Sequence, residues 1–359
     1  MMLFDLKPKD APKELFGREQ ELKKLVEMLK AGNWVVVIGP RMVGKTSLIK
    51  AANSKLGFQA VYANLWGARG IQGLLGALVN AINSSKGLTE KIKGFATRIE
   101  GLSIGPGGIS VTSPKRPLTT VWDLLDLLGR QGGKLVIELD EVQELSNVSG
   151  QFLKILANIW NTHRNIEFVF SGSMFGLIRT ILRPKSSKSP MYGRPPAELV
   201  LTRFDTKQAE EFLKRGFKEY GMKIPSEVLS EKVKDHIDGM PGWLTLYGNC
   251  VAVRRQSQEK ALKTTIDEGR NVVRNELQHF LEGRDSKSYT AALKATANGA
   301  SWSTAKQFIE AAQGTPVSGP TVQNILGNLV DGFLVEHAGE TYRVIDPMLR
   351  TLLLTGEPI

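Results

Sequence analysis

Gly39-Pro40-Arg41-Met42-Val43-Gly44-Lys45-Thr46 is the stretch of this 359-residue chain whose residue types point most directly to chemistry. It satisfies GxxxxGK[ST] at every fixed position. It also follows an apolar run, Trp34 to Ile38, and precedes a helical pattern beginning near Ser47. Glycines let successive backbone N–H groups curl around phosphate oxygens, and the start of the next helix favours negative charge at the same place. The spacing assigns Gly39 to Ser47 as a polyphosphate cradle, with Lys45 reaching the β- and γ-phosphates and Thr46 holding a magnesium ion.

A magnesium nucleotide needs a carboxylate as well. Leu135 to Leu139 is a buried-strand pattern ending in Asp140-Glu141. Asp140 at the strand end is placed to hold a metal-bound water, and Glu141 to polarise the attacking water. Glu138, inside the strand, is expected to point away and to be structural. The next apolar run, Ile166 to Phe170, ends in Ser171-Gly172-Ser173. Ser171 and Ser173 are candidates to sense the γ-phosphate, because parallel strands end at one edge; an ordinary strand exit reads equally well. Arg179, Arg183, Lys185, Lys188 and Arg194 then bring cations and no acid between residues 179 and 194. Arg194 is a candidate arginine for a nucleotide, catalytic across a subunit boundary, and the remainder a polyanion contact or a solvated loop.

These residues require a scaffold that returns several strand ends to one edge. Short apolar runs at 34–38, 58–62, 135–139 and 166–170, with a further strand at 198–201, alternate with helical patterns at 19–30, 47–55, 71–83 and 151–163. That alternation predicts a parallel sheet with helices on both faces. Gly101 to Thr112 reads as an inserted hairpin around a Gly-rich turn. From Arg203 the strand signals stop; Asp205 with Gln208 forms a capping box, and helical patterns run on to about Leu281. Two further helices, a third opened by Pro320, and a hairpin turning at Ala338-Gly339 resemble a winged helix-turn-helix. The expected divisions are an arm over 1–15, an ATPase core over 16–202, an all-α lid over 203–284 and a winged helix over 285–359.

Composition excludes other classes. A single cysteine, Cys250, and four histidines rule out a disulfide scaffold or Cys-rich zinc site and suit a reducing cytoplasm. No apolar run approaches the roughly 20 residues that span a bilayer. The net charge of +11 is uneven: residues 1–202 hold 27 Lys and Arg against 16 Asp and Glu, whereas residues 285–359 hold 5 against 7. Any nucleic-acid contact is therefore expected on the basic core. The candidate recognition helix, Thr321 to Val330, has no Lys or Arg and presents Gln323, Asn324 and Asn328, which favours a protein partner or intramolecular docking.

Together these features resemble the archaeal ATPase family, a group of AAA+-like, STAND-type P-loop ATPases. The matching residues are Phe16-Gly17-Arg18-Glu19, the two motifs above, the hairpin between them, Ser171 to Ser173, Tyr192-Gly193-Arg194 and Gly239-Met240-Pro241-Gly242. The resemblance covers nearly the whole chain from residue 14. It implies ATP or ADP with Mg²⁺, with Gly17, Arg18 and Pro241 bracketing adenine and ribose, and a lid that moves with nucleotide state. A lid arginine directed at the γ-phosphate is not found, because Gly239-Met240-Pro241 occupies that neighbourhood, and this points to a slow or switch-like ATPase. Three readings stand: an ATP hydrolase, a nucleotide-gated switch without turnover, and a DNA-dependent regulatory or mobile-element ATPase. Homo-oligomerisation follows only if Arg194 acts in a neighbouring copy.

Overall fold

The computed structural model describes residues 2–172, 178, 182, 187–223 and 236–357. Its first half alternates strands and helices: α1 (Glu19–Lys30), β1 (Val35–Ile38), α2 (Lys45–Leu56), β2 (Gln59–Asn64), α3 (Gly70–Ser84), α4 (Lys86–Ala96), β3 (Leu102–Gly105), β4 (Gly108–Val111), α5 (Pro117–Gly129), β5 (Leu135–Asp140), α6 (Ser149–Thr162), β6 (Ile166–Gly172) and β7 (Ala197–Val200). Five strands form one parallel sheet in the order β2-β5-β6-β1-β7. The register pairs Asn64 with Asp140 and Ile38 with Gly172, so the ends of β2, β5, β6 and β1 share one edge.

Side-chain alternation explains the layers. Val35 and Val37 of β1 join α1 and α2 in one cluster, while Trp34, Val36 and Ile38 join α3, α5 and α6 in the other. In α1 the expected Leu22, Leu25, Val26 and Leu29 are the buried face. β3 and β4 form the expected antiparallel hairpin. The helices on either side of it were not anticipated. For α5 the signal was present, since Val121, Leu124, Leu125 and Leu128 have helical spacing and are buried.

The second half is helical among the described residues up to 331: α7 (Thr206–Glu219), α8 (Pro241–Ala252), α9 (Gln258–Leu281), α10 (Ser286–Thr296), α11 (Trp302–Gln313) and α12 (Gly319–Asp331). The hairpin β8 (Val335–Ala338) and β9 (Thr341–Val344) and the closing helix α13 (Pro347–Leu354) complete it. The capping box at α7 forms as expected: Gln208 N donates to Asp205 Oδ1 at 2.8 Å and Asp205 N to Gln208 Oε1 at 3.1 Å. One continuous core runs from Leu3 and Phe4 through α7, α8 and α9 into α10 to α13. The first residues are therefore not a free arm: Phe4 is fully buried in the helical half.

Candidate nucleotide-binding site

The loop after β1 has the backbone its glycines suggest. Gly39 has a φ of 150°, and a Cβ there would fall 2.4 Å from the Leu201 carbonyl oxygen. Gly44 has a φ of 99°, and Met42 holds a left-handed φ of 62° without being glycine. Met42 is supported from across the cleft, because Gly242 N donates to its carbonyl at 2.8 Å. Lys45 Nζ donates to Gly39 O at 2.8 Å and to Pro40 O at 2.9 Å, so the ammonium lies back along its own loop. Burial pushes its pKa down, against the opposing pull of Glu141 and Asp140.

Asp140, at the end of β5, collects four donors. Tyr62 Oη at 2.8 Å and Thr46 Oγ1 at 3.2 Å donate to Oδ2; Ser171 Oγ at 2.7 Å and Glu141 N at 3.1 Å donate to Oδ1. Oxygen ligands of this hardness suit a small divalent cation, and the Thr46 hydroxyl and Asp140 carboxylate already converge, so these residues fit the magnesium ion the motifs imply. Glu141 adopts a left-handed φ of 58° that turns it out of the strand, and the Gln143 side-chain amide donates to its Oε2. Burial, then the neighbouring Asp140, raises the Glu141 pKa.

The structure corrects one expectation here. Glu138 does not point away from the site; residues two apart share a face of a strand, so it lies on the side of Asp140. Burial, reinforced by Asp140, pushes its carboxyl up to about 8. Tyr62 on β2 was missed altogether, because a tyrosine inside an apolar strand gives no signal until the strand order is known.

A cavity of about 520 Å³ runs from Asp140 and Glu141 past Lys45, Thr46 and Ser47 to an apolar end walled by Leu3, Leu6, Phe16, Phe212 and Leu246. Pro241, at the start of α8, lines it too, and so does Arg18. Lys9 N donates to Ser47 Oγ at 3.1 Å, fastening the first residues to the start of α2. Their other anchor is Phe4, whose ring occupies a slot left by Gly216 and Gly248, where a Cβ would fall 2.2 and 2.3 Å from it. Asn249 Nδ2 donates to Phe4 O at 2.9 Å.

The profile of a family described as an ATPase domain predominantly from Archaea matches residues 15–246, almost two thirds of the chain. The chain belongs to this ATPase family. Among solved structures it is similar to the Walker-type ATPase of Pyrococcus abyssi, with 27% identity, a TM-score of 0.80, and coverage of 98% of this chain and 100% of that one. The ORC2 protein of Aeropyrum pernix, in ADPNP–ADP complexes, is 17% identical with a TM-score of 0.63, covering 98% of this chain and 96% of that one. Cdc6p of Pyrobaculum aerophilum is 15% identical with a TM-score of 0.50, again at 98% and 96% coverage. The last two likenesses concern the fold. No curated protein matches the chain.

In this ATPase the remaining expected residues have distinct places. Arg18 does not present its guanidinium freely to the cavity: its Nη2 donates to Val43 O at 3.1 Å and Thr202 O at 2.6 Å, bracing the phosphate loop against the chain after β7. Gly17 supplies a φ of 64° beside Phe204. Ser171 is buried and bonded to Asp140, while Ser173, Arg179, Arg183 and Lys185 lie outside the described residues. Arg194 is not brought to the cavity. It precedes Ala197, which pairs with Val35 at the start of β1, so it lies at the edge opposite the phosphate loop, donating to Pro190 O at 2.8 Å. Among the described residues no cluster of His, Cys, Asp or Glu could by itself hold a metal, and no helix is long and apolar enough to cross a membrane.

Proposed function

We propose that this ATPase binds ATP with magnesium, hydrolyses it slowly, and uses the ATP or ADP state to set the arrangement of a lid (203–284) and a winged helix (285–359) against the core (16–202). What carries the reading is the hydrogen bond from Thr46 to Asp140, which joins the two motifs across 94 positions of sequence. Thr46 and Asp140 would hold the magnesium ion, which would supply positive charge against the phosphates when bound. Lys45 leaves the Gly39 and Pro40 carbonyls for those phosphates, and the N–H groups of the loop cradle them. Glu141 orients the attacking water and takes its proton, a task that a buried, raised carboxyl pKa suits.

Coupling to the second half is supported by direct contacts. Gly242 of α8 touches the phosphate loop through Met42. Phe333, Leu334 and Asp346 border a small cavity together with Pro40 and Arg41. Arg203, where core meets lid, lies 3.3 Å from Glu336 of β8 and 3.4 Å from Asp238. The winged helix is then a docking surface for a protein partner, and Arg194 is available to a second copy of the chain. A cytoplasmic setting agrees with the lone, buried Cys250.

The test is steady-state ATP turnover of the unaltered chain and of Glu141→Gln, beside fluorescent-nucleotide binding to both. Turnover should fall by about 10²–10⁴-fold with affinity unchanged; equal turnover in the variant removes Glu141 from its role. A second reading, a nucleotide-gated switch without turnover, is favoured by Lys45 resting on its own loop and by Glu141 engaged with Gln143. Tight nucleotide retention with no turnover in the unaltered chain selects it. Turnover that rises with duplex DNA at low salt would instead select a nucleic-acid contact on the basic core.

A further inference from the structure

Arg41 lies within the phosphate loop and lines the nucleotide cavity, yet its charge is engaged with the lid. Arg41 Nη1 is 3.6 Å from Glu276 Oε2 of α9, and the guanidinium lies 6.0 Å from the centre of the Trp66 ring. The Glu276 side chain is 13% exposed against 36% for Arg41, so the carboxylate is the more covered partner of the pair. One turn along α9, His279 Nε2 meets Glu144 Oε1 at 3.2 Å, and the histidine ring lies 5.8 Å from Trp66. Two neighbouring side chains of α9 thus touch the phosphate loop, the exit of β2 and the segment that follows Asp140 and Glu141. The Glu276 charge is also felt by Lys45 and Glu141, the two residues that flank the place of a terminal phosphate.

A bound triphosphate brings a second anion to Arg41 from the cavity side. A single guanidinium then has two competing partners. We propose that Glu276 competes with the terminal phosphate for Arg41, so that this one carboxylate sets the preference between ATP and ADP and passes the difference to α9. The inference rests on the reading of the cavity as an ATP site. With ADP the pair stays closed and α9 remains on the loop; with ATP Arg41 turns to the phosphate, and Glu276 faces an anion that repels the helix.

Isothermal titration of the full chain with ADP and with a non-hydrolysable ATP analogue tests this in the unaltered protein, Glu276→Gln, Arg41→Ala and the double variant. Glu276→Gln should raise the triphosphate-over-diphosphate affinity ratio by about fivefold, and with Arg41 replaced the same change should raise it by clearly less. Equal tightening of both nucleotides, or an undiminished effect without Arg41, overturns the proposal. Should Glu276→Gln fail to fold, Arg41→Ala alone must lower the ratio, and an unchanged ratio overturns the proposal equally. An unaltered chain that binds neither nucleotide overturns the reading of the cavity itself, a result distinct from binding with an unaltered ratio.

Discussion

At the phosphate end of the cavity, Asp140 gathers donors from Thr46, Tyr62, Ser171 and Glu141, each on or just beyond the edge where the strands end. At the apolar end the wall is assembled from Leu3, Leu6, Phe16, Phe212 and Leu246, residues drawn from both halves of the chain. The first end is made by a few bonds of fixed geometry on a buried sheet. The second is made by packing, and exists only when the first residues are seated among α7 and α8. The two ends should therefore fail differently: the phosphate end by loss of a particular contact, the apolar end by loss of tertiary structure.

Phe4→Ala is the strongest way to break that comparison. Emptying the slot between Gly216 and Gly248 should destabilise the protein by about 3–5 kcal/mol in denaturant melts and weaken ADP binding at the same time. A variant as stable as the parent would mean that the seat of Phe4 contributes little. Asp346→Asn probes the same half. Asp346, which accepts from Trp243 Nε1 at 3.1 Å and caps α13, is buried enough that its carboxyl is pushed up to about 6. A folded-state pKa above the unfolded one means that this linked stability, at most about 3 kcal/mol, is fully present below about pH 4 and lost as pH rises through about 6. The variant should flatten the stability profile over that window, and an unaltered profile would remove Asp346 as its source. Tyr62→Phe should have the smallest effect and should be confined to the phosphate end. It should raise the magnesium concentration needed for tight nucleotide binding by roughly fivefold, about 1 kcal/mol, with binding in EDTA unchanged. An equal change with and without magnesium would separate Tyr62 from the metal site.

The same contrast explains what could be read from the sequence. Gly39 to Thr46 and Asp140-Glu141 stood out because local spacing marks them, and the α/β alternation predicted the shared edge at which the structure brings Thr46 and Asp140 together. Asp205 and Gln208 were legible as a cap for the same local reason. Tyr62 and Glu138 were not, because their roles depend on which strand lies beside β5 and which face each residue takes. Phe4 read as part of a charged arm, since the two glycines that receive it stand more than 200 positions away. Arg18 was identified as important, but its bonds to Val43 and Thr202 show a brace of the loop that a motif alone cannot distinguish from a ligand contact. For Arg194 the strand register supplied what the motif lacked: within one chain it belongs to the far edge of the sheet.

The bond between Asn249 and Phe4 spans 245 positions, which has a consequence for the order in which this protein can be made. At a synthesis rate of roughly 5–20 residues per second, the first residues wait ten seconds or more before their seat in α7 and α8 leaves the ribosome. Until then a nascent chain can complete its sheet and phosphate loop but not the apolar wall. A chain interrupted before α8 would carry Gly39 to Thr46 and the Asp140-Glu141 pair and still lack a closed nucleotide cavity, so the first segment acts as a check on completeness built into the fold.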